Sequence, residues 1–277
     1  RERKDKQGPN KIEVVNKNVE DINKPFNETE LIHLLNHTNH NISSISKSYR
    51  LHHNIIKSNL IHEYCKNKRV LDIGSGKGGD IKKYLQAKSS YIYFIEPNKE
   101  YIIEFNNRIK LMDKNKYELI ELPFEVTNIG TEFVDVITCF FSLTFFCFTE
   151  YQMEQFIKKI SDYLVPDGYF IGTVLDGQKT VDFLTFQPNY TFLIGSNGYI
   201  KLDTELPDTR IVISLPDTNT VHYQIESIVY MNIFIKKCKE YKLEMEELID
   251  FKDYNDKYES EYQFNKLYST FIFRKKI

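Results

Sequence analysis

The stretch from Val70 to Asp80, which reads VLDIGSGKGGD, has the residue types best suited to ligand binding in this chain. A short apolar run typical of a buried strand ends at Gly74, and further glycines follow at positions 76, 78 and 79. Glycine adopts positive φ angles and lets a ligand approach main-chain atoms closely. The stretch therefore predicts a strand, a binding turn and a helix that begins near Asp80. Its spacing also satisfies the dinucleotide pattern G-x-G-x-x-G, which by itself is a weak indicator.

Two acidic residues near this turn favour one cofactor over another. Asp72 lies two positions before the first glycine, where a carboxylate would repel a pyrophosphate but could pair with a cationic ligand such as S-adenosylmethionine (SAM). Glu96 follows the next apolar run at the distance from the turn at which an acid binds a ribose diol, and this suits either cofactor. The residues favour a SAM-dependent methyltransferase and leave open a nicotinamide enzyme or a glycine turn without a ligand.

Composition and charge set broad limits on the protein. The 277 residues are 41% hydrophobic, which is enough to bury a full core, and the net charge of −2 gives no global indication of nucleic acid binding. Residues 1–69 hold 13 Lys and Arg against 8 Asp and Glu, whereas the rest holds 24 against 31, so a basic face near the amino end and an ordinary solvated surface are both open. The four cysteines lack C-x-x-C spacing, which is typical of free thiols in a reducing compartment. The apolar, uncharged run 136–149 is shorter than the roughly 20 residues that cross a bilayer.

Alternating strand and helix patterns must position these residues. Helices are predicted over 48–64, 80–87, 98–112 and 149–164, and strands over 70–73, 91–95, 117–121, 133–139 and 169–174. This alternation predicts an α/β fold with a doubly wound, mostly parallel, Rossmann-like sheet. Beyond residue 176 the pattern predicts a β insertion that includes 211–215, then a helix over 225–241. Strands over 243–251 and 268–273 then complete the sheet with an antiparallel final strand, as in class I SAM-dependent methyltransferases.

The chain divides into two predicted regions. Residues 1–47 are polar and read as a linker or amino-terminal arm, with one short helix over 28–35, whereas residues 48–277 read as the methyltransferase domain. The chain has no initiator Met and opens on the charged run RERKDK. We therefore expect it to be the carboxy-terminal domain of a longer protein.

Four blocks together carry a specific resemblance. They are RLHHNIIKSNLI at 50–61, the glycine block with Lys77, PDGYFIGT at 166–173 followed by LDG at 175–177, and the pair Glu226 and Tyr268. Over roughly residues 48–274 the chain resembles the mRNA cap (guanine-N7) methyltransferases. It is most similar to the carboxy-terminal domain of multifunctional capping enzymes of large cytoplasmic DNA viruses, of the African swine fever virus and poxvirus type.

The resemblance implies transfer of a methyl group from SAM to N7 of the guanine in the GpppN cap, with S-adenosylhomocysteine as the product and no metal. It assigns SAM binding to Lys57, Asp72, Gly74, Gly76 and Glu96, with the adenine near Phe124 and Phe140. It assigns binding of the cap to Asn54, Lys77, Lys83, Arg108, Thr144, Glu226 and Tyr268. It assigns catalysis to Glu226, Tyr268 and Phe145. Because N7 has a lone pair and no proton to lose, we expect no general base.

The chain departs from the family at two places. Many members have a Gln for adenine and a His-Tyr pair at the guanine, where this chain has Phe140 and then Thr144-Phe145. Because the register is uncertain by one residue, either Phe145 or Phe146 takes the aromatic role. One polar contact of the missing His is expected either to be lost or to be supplied by Thr144.

The resemblance also implies partners and a location. The 5′ end of capped RNA is the expected substrate, and triphosphatase and guanylyltransferase domains are expected in the same longer chain. We expect a cytoplasmic location, in a viral factory or virion, and no membrane partner, and we leave open whether a viral activating subunit is needed. The alternative functions are a non-catalytic, methyltransferase-like module that binds RNA, a class I methyltransferase with another substrate, and a nicotinamide dehydrogenase.

Overall fold

The computed structural model describes residues 42–194, 198–203, 210–215, 223–254 and 263–277, with only the backbone described for 42–50, 111 and 263. The short helix predicted over 28–35, and the predicted arm up to residue 41, lie outside the described residues. The part of the chain from Ser44 to Ile277 forms one compact unit.

Seven described strands form the main sheet, in the order β10-β11-β5-β4-β1-β2-β3. They are β1 (Arg69–Ile73), β2 (Tyr91–Ile95), β3 (Tyr117–Ile120), β4 (Val134–Phe140), β5 (Leu164–Leu175), β10 (Leu243–Asp250) and β11 (Tyr268–Lys275). Strand β11 runs antiparallel to both of its neighbours, and the other pairs are parallel. The predicted sheet and its antiparallel final strand are confirmed.

Helices cover both faces of this sheet. The described helices are α1 (Ile42–Tyr64), α2 (Ile81–Ala87), α3 (Lys99–Arg108), α4 (Glu150–Tyr163), α5 (Gly177–Thr185) and α6 (Met231–Glu240). Because side chains alternate along a strand, Val70 packs with the cluster beneath α1 and α2, whereas Leu71 packs with the cluster beneath α4 and α6. No helix in the described part of the chain is long and apolar enough to span a membrane.

A second, four-stranded antiparallel sheet forms the predicted insertion. Its strands are β6 (Thr191–Ile194), β7 (Gly198–Asp203), β8 (Arg210–Ser214) and β9 (Gln224–Ser227), in that order. The helix predicted over 225–241 is wrong in its first part, because residues 224–227 pair with β8 and the helix begins only at Met231. Pairing with a neighbouring strand outweighs the local helical pattern at this position.

Gly172 lies where β5 passes closest to β4, and its lack of a side chain is required there. A Cβ atom would lie 2.1 Å from the carbonyl oxygen of Cys139 and 2.5 Å from the Phe271 ring.

We expect Gly172→Ala to lower the free energy of unfolding by about 3 kcal/mol, because neither the backbone of β4 nor the packed Phe271 ring can move away easily. Unfolding in urea measures this change in the free energy of unfolding. In Gly79→Ala, the matched control, the nearest atom to the new Cβ lies 3.9 Å away, so equal losses in the two variants would contradict the prediction.

Candidate active site

A cleft of about 740 Å³ opens at the carboxyl ends of the central strands, beside the point where the sheet order reverses between β1 and β4. Its volume is in the range of small-molecule sites. All the predicted site residues except Asp72 and Lys83 line it. They are Asn54, Lys57, Gly74, Gly76, Lys77, Glu96, Arg108, Phe124, Phe140, Thr144, Phe145, Glu226 and Tyr268. Residues far apart in the sequence therefore line one cavity, and the surface that they form is the wall of the cleft.

The glycine turn is fixed against the end of β2. Gly74 and Gly76 have φ angles of +75° and +56°, and a Cβ at Gly74 would lie 2.8 Å from the Ser142 side chain. The Gly76 N–H donates to Oε2 of Glu96 at 2.7 Å, and the N–H of Asn98 donates to Oε1 at 2.8 Å. Burial raises the pKa of Glu96, and these two backbone donors oppose that rise. The turn thus presents main-chain atoms and one carboxylate to the cleft.

Asp80, which lines the cleft, pairs with two lysines. Its Oδ2 accepts a hydrogen bond from Lys57 at 2.7 Å, and its Oδ1 accepts one from Lys83 at 2.7 Å. Burial pushes the pKa of Asp80 upward, but the two lysines outweigh burial and the net shift is downward. Sequence reasoning treated Asp80 only as the start of a helix. The three-residue spacing to Lys83 could have indicated the pairing, whereas Lys57 lies 23 residues away.

Asp72 and Lys83 do not line the cleft. Asp72 is 4% exposed, and its Oδ1 accepts a hydrogen bond from Thr138, whose hydroxyl also contacts that of Tyr84. Burial, with a smaller effect from Asp80, raises the pKa of Asp72 to about 6. Lys83 donates to Asn54 and to Asp80. Of the two aspartates, Asp80 lines the cavity and Asp72 does not.

The two phenylalanines predicted to lie near adenine enter the cleft from different sides. Phe140 belongs to the cluster beneath α1, and the ammonium of Lys57 lies 5.9 Å from its ring centre. Phe124 belongs to the opposite cluster, where the Phe146 ring stacks on Phe156 at 4.5 Å. Because Phe146 is committed to this core, Phe145 is the better candidate for an aromatic contact in the cleft.

The small sheet brings Glu226 to the cavity. Glu226 lies on β9, where its Oε2 accepts a hydrogen bond from the Thr144 hydroxyl at 2.9 Å. Burial raises the pKa of Glu226 to about 7, and the Thr144 hydrogen bond opposes that rise. Tyr268, 6% exposed at the start of β11, contributes the edge of an aromatic wall.

Two residues of that wall were missed by sequence reasoning. The His53 ring stacks on Phe141 at 4.9 Å, contacts Tyr268 edge-on at 5.0 Å, and bonds through Nε2 to Oδ1 of Asn265 at 2.9 Å. Burial lowers the pKa of His53 to about 3, so the ring is neutral at physiological pH. Phe141 has a φ of +56°, which is uncommon outside glycine, and its N–H donates to Thr173. No pattern in the sequence indicates a left-handed phenylalanine.

Two cations occupy another part of the wall. The ammonium of Lys77 lies 3.3 Å from one oxygen of Glu104, and the guanidinium of Arg108 pairs with the other oxygen. All three side chains are 30–45% exposed, so an anion in the cleft could reach both cations. Within the described ranges, no group of three or more His, Cys, Asp or Glu side chains is placed to hold a metal ion.

The fold is that of a SAM-dependent methyltransferase. The chain superposes on a crystal structure of an S-adenosylmethionine-dependent methyltransferase from Clostridium acetobutylicum with a TM-score of 0.56 and 17% identity, over 85% of this chain and 92% of that one. The model of the mRNA (guanine-N(7))-methyltransferase domain family matches residues 13–275, and the chain belongs to this family. The resemblance found in the sequence is confirmed.

Relatives of the chain are known from several organisms. A probable mRNA-capping enzyme of Acanthamoeba polyphaga mimivirus is 28% identical over 49% of this chain and 14% of its own length. The mRNA cap guanine-N(7) methyltransferase of Saccharomyces cerevisiae is 27% identical over 57% of this chain and 38% of its own length. The chain thus matches less than half of the length of either relative.

The positions of the two aspartates predict different effects on cofactor binding. We expect Asp80→Asn to weaken SAM binding at least tenfold, because SAM is cationic and the change removes the negative charge that pairs with Lys57 and Lys83. Asp72→Asn keeps a similar shape at a position that does not line the cleft, and we expect a smaller effect. Isothermal titration with SAM measures both, with thermal melting to check folding. A larger loss in Asp72→Asn would instead support direct contact of Asp72 with SAM.

Proposed function

We propose that this chain transfers the methyl group of SAM to N7 of the guanine in the GpppN cap of mRNA. The observation that carries the proposal is that one cleft joins the glycine turn to Glu226, a half-buried carboxylate that a second sheet brings to its wall. Membership of the guanine-N7 methyltransferase family supports the same reaction.

The residues on the wall fit SAM. The glycine turn leaves no room for a Cβ at Gly74, Glu96 offers acceptor oxygens for a ribose, and Asp80 provides a negative charge near Lys57. Lys57 is placed to pair with a carboxylate such as that of the methionyl group. When bound, SAM supplies a methyl group on a positively charged sulfur. The chain's own residues then have to orient the acceptor base.

Glu226 is the residue suited to orient and stabilise guanine. An ionised carboxylate can accept hydrogen bonds from the guanine N1–H and the exocyclic amine, and these strengthen as methylation makes the purine positive. N7 has a lone pair, so no side chain has to remove a proton. Tyr268 and Phe145 offer aromatic surfaces against the base. Holding both reactants in line can account for roughly 7 to 11 kcal/mol of the barrier in favourable systems.

The cations of the wall suit the triphosphate bridge. Lys77 and Arg108 both pair with the Glu104 carboxylate, and phosphate oxygens could replace that carboxylate between the two cations. Such contacts would favour capped 5′ ends over internal guanines. The remaining expectations, namely further capping domains in a longer chain, an activating subunit and a cytoplasmic viral setting, stay predictions.

Methyl transfer to defined RNA tests the function. We expect label from radioactive SAM to appear in m7GpppA after digestion of GpppA-capped RNA, with none on uncapped RNA. Label on another acceptor would indicate a methyltransferase with a different substrate. SAM and RNA binding without transfer would indicate a non-catalytic binding module.

The role of Glu226 predicts a selective loss. Glu226→Gln keeps the shape but places an amide where a carboxylate should accept two donors, so we expect the transfer rate to fall at least 100-fold, about 2.7 kcal/mol in the barrier. We expect the dissociation constant for SAM to stay within twofold. Glu240→Gln, at an exposed position on α6, is the control. A parallel loss of SAM binding in Glu226→Gln would show that Glu226 is structural.

Binding of phosphate by the two wall cations predicts a change in salt dependence. We expect Lys77→Met and Arg108→Met each to raise the KM for capped RNA several-fold and to flatten its dependence on salt, because each removes one cation near a phosphate. The kcat with saturating RNA should change less. Lys110→Met, whose ammonium bonds to Asn107 and does not line the cleft, is the matched control. Unchanged KM values in both wall variants would contradict the assignment.

A further inference from the structure

Thr144 and Glu226 form a contact between the two sheets. Thr144 lies in the turn of 3-10 helix Leu143–Phe146 that follows β4, and Glu226 lies on β9 of the small sheet. The Thr144 hydroxyl donates to Oε2 of Glu226 at 2.9 Å, and the Ser227 hydroxyl donates to the Thr144 carbonyl oxygen. Thr144 is 4% exposed and Ser227 is 3% exposed, so solvent competes little for these bonds.

The chemistry of a hydroxyl restricts what Thr144 can do. It carries a single proton, and this proton is already donated to Glu226, so Thr144 cannot donate the same proton to a guanine. Within the described part of the chain, no other hydrogen bond to the Glu226 carboxylate is present. Thr144 therefore engages one lone pair of Oε2, and Oε1 and the other lone pair of Oε2 remain available to two donors of a ligand in the cleft.

We infer that Thr144 is a positioning residue that acts on guanine through Glu226, by fixing the direction of the carboxylate and favouring its ionised form. This inference rests on the function proposed above. It replaces the direct contact with the cap that the sequence predicts for Thr144.

The charge state of Glu226 makes the inference testable. Burial raises the pKa of Glu226 to about 7, and the donor hydrogen bond from Thr144 is the force that opposes burial. The ionisable groups on the elements around it are Arg210 on β8, which lies over the Phe148 ring, His53 and Lys57 on α1, and Tyr268 on β11. None of them is a cause of the shift in the pKa of Glu226. Loss of the Thr144 donor should therefore leave more of the carboxyl group protonated at neutral pH.

Replacing the hydroxyl while keeping the shape tests the inference. We expect Thr144→Val to move the acid limb of the pH profile of kcat/KM for capped RNA upward by about one unit, so that the rate at pH 7 falls roughly fivefold and recovers towards pH 9. Thr144→Ser retains the donor, and its profile should follow the unsubstituted protein. We expect the dissociation constant for SAM to stay within twofold in both variants. A loss in Thr144→Val that is equal at every pH, or a Thr144→Ser profile shifted like that of Thr144→Val, would overturn the inference.

A measurement without turnover separates this inference from the proposed function. The carboxyl carbon of Glu226 can be titrated by NMR in protein labelled at glutamate, with the resonance assigned by its absence in Glu226→Gln. A pKa in Thr144→Val about one unit above that of the unsubstituted protein supports the positioning role even if no methyl transfer to capped RNA is found. Equal pKa values in the two proteins overturn the role, even if cap methylation is observed.

Discussion

The pairing of Asp80 with two lysines is the constraint on which the arrangement of the site depends. An ionised group removed from water is costly unless it is paired and hydrogen bonded. Asp80, Lys57 and Lys83 have side chains only 13–14% exposed, so each of them needs the others. The contact ties α1 to the start of α2, and the glycine turn lies between β1 and that helix. Moving any one of these elements would leave a buried charge unpaired.

The same contact explains how acidic and basic side chains lie close together at the wall of the cleft. Asp80 pairs with two cations in the protein alone, yet Lys57 also lies near the Phe140 and Phe141 rings, at 5.9 Å and 5.7 Å from their centres. These rings offer a second favourable environment for its ammonium group. A ligand that carries its own ammonium and carboxylate, as the methionyl part of SAM does, could therefore join the network with little change in total charge.

The sequence predicts the main sheet well because its signals are local. The glycine turn, the apolar runs of β1, β2 and β4 and the capping residue Thr149 each act within a few residues of their own position. Prediction from the sequence fails where a contact with a residue far away in the sequence decides the structure. Residues 224–227 become a strand because β8 pairs with them, and Asp80 becomes the acid on the wall because Lys57 reaches it from another helix.

Most of the predicted site could be found because the family resemblance names residue types at separate blocks, and the fold brings those blocks together. The orientation of the individual side chains could not be predicted from the sequence. Asp72 and Lys83 have suitable chemistry but do not line the cleft, and their side chains bond to Thr138 and Asn54. Conversely, His53 enters the wall through its stack on Phe141, whose left-handed backbone has no signature in the sequence.

The four-residue strand β9 decides which side chain faces the cleft. In the observed register Glu226 lies opposite Ile211, and neighbouring residues of a strand point to opposite faces of a sheet. A slip of one position would present Ile225 or Ser227 to the cleft instead, with no change in composition or in the number of strands. The hydrogen bond from Ser227 to the Thr144 carbonyl oxygen opposes such a slip from outside the small sheet. The placement of a carboxylate in the cleft therefore depends on strand alignment as much as on the identity of one residue.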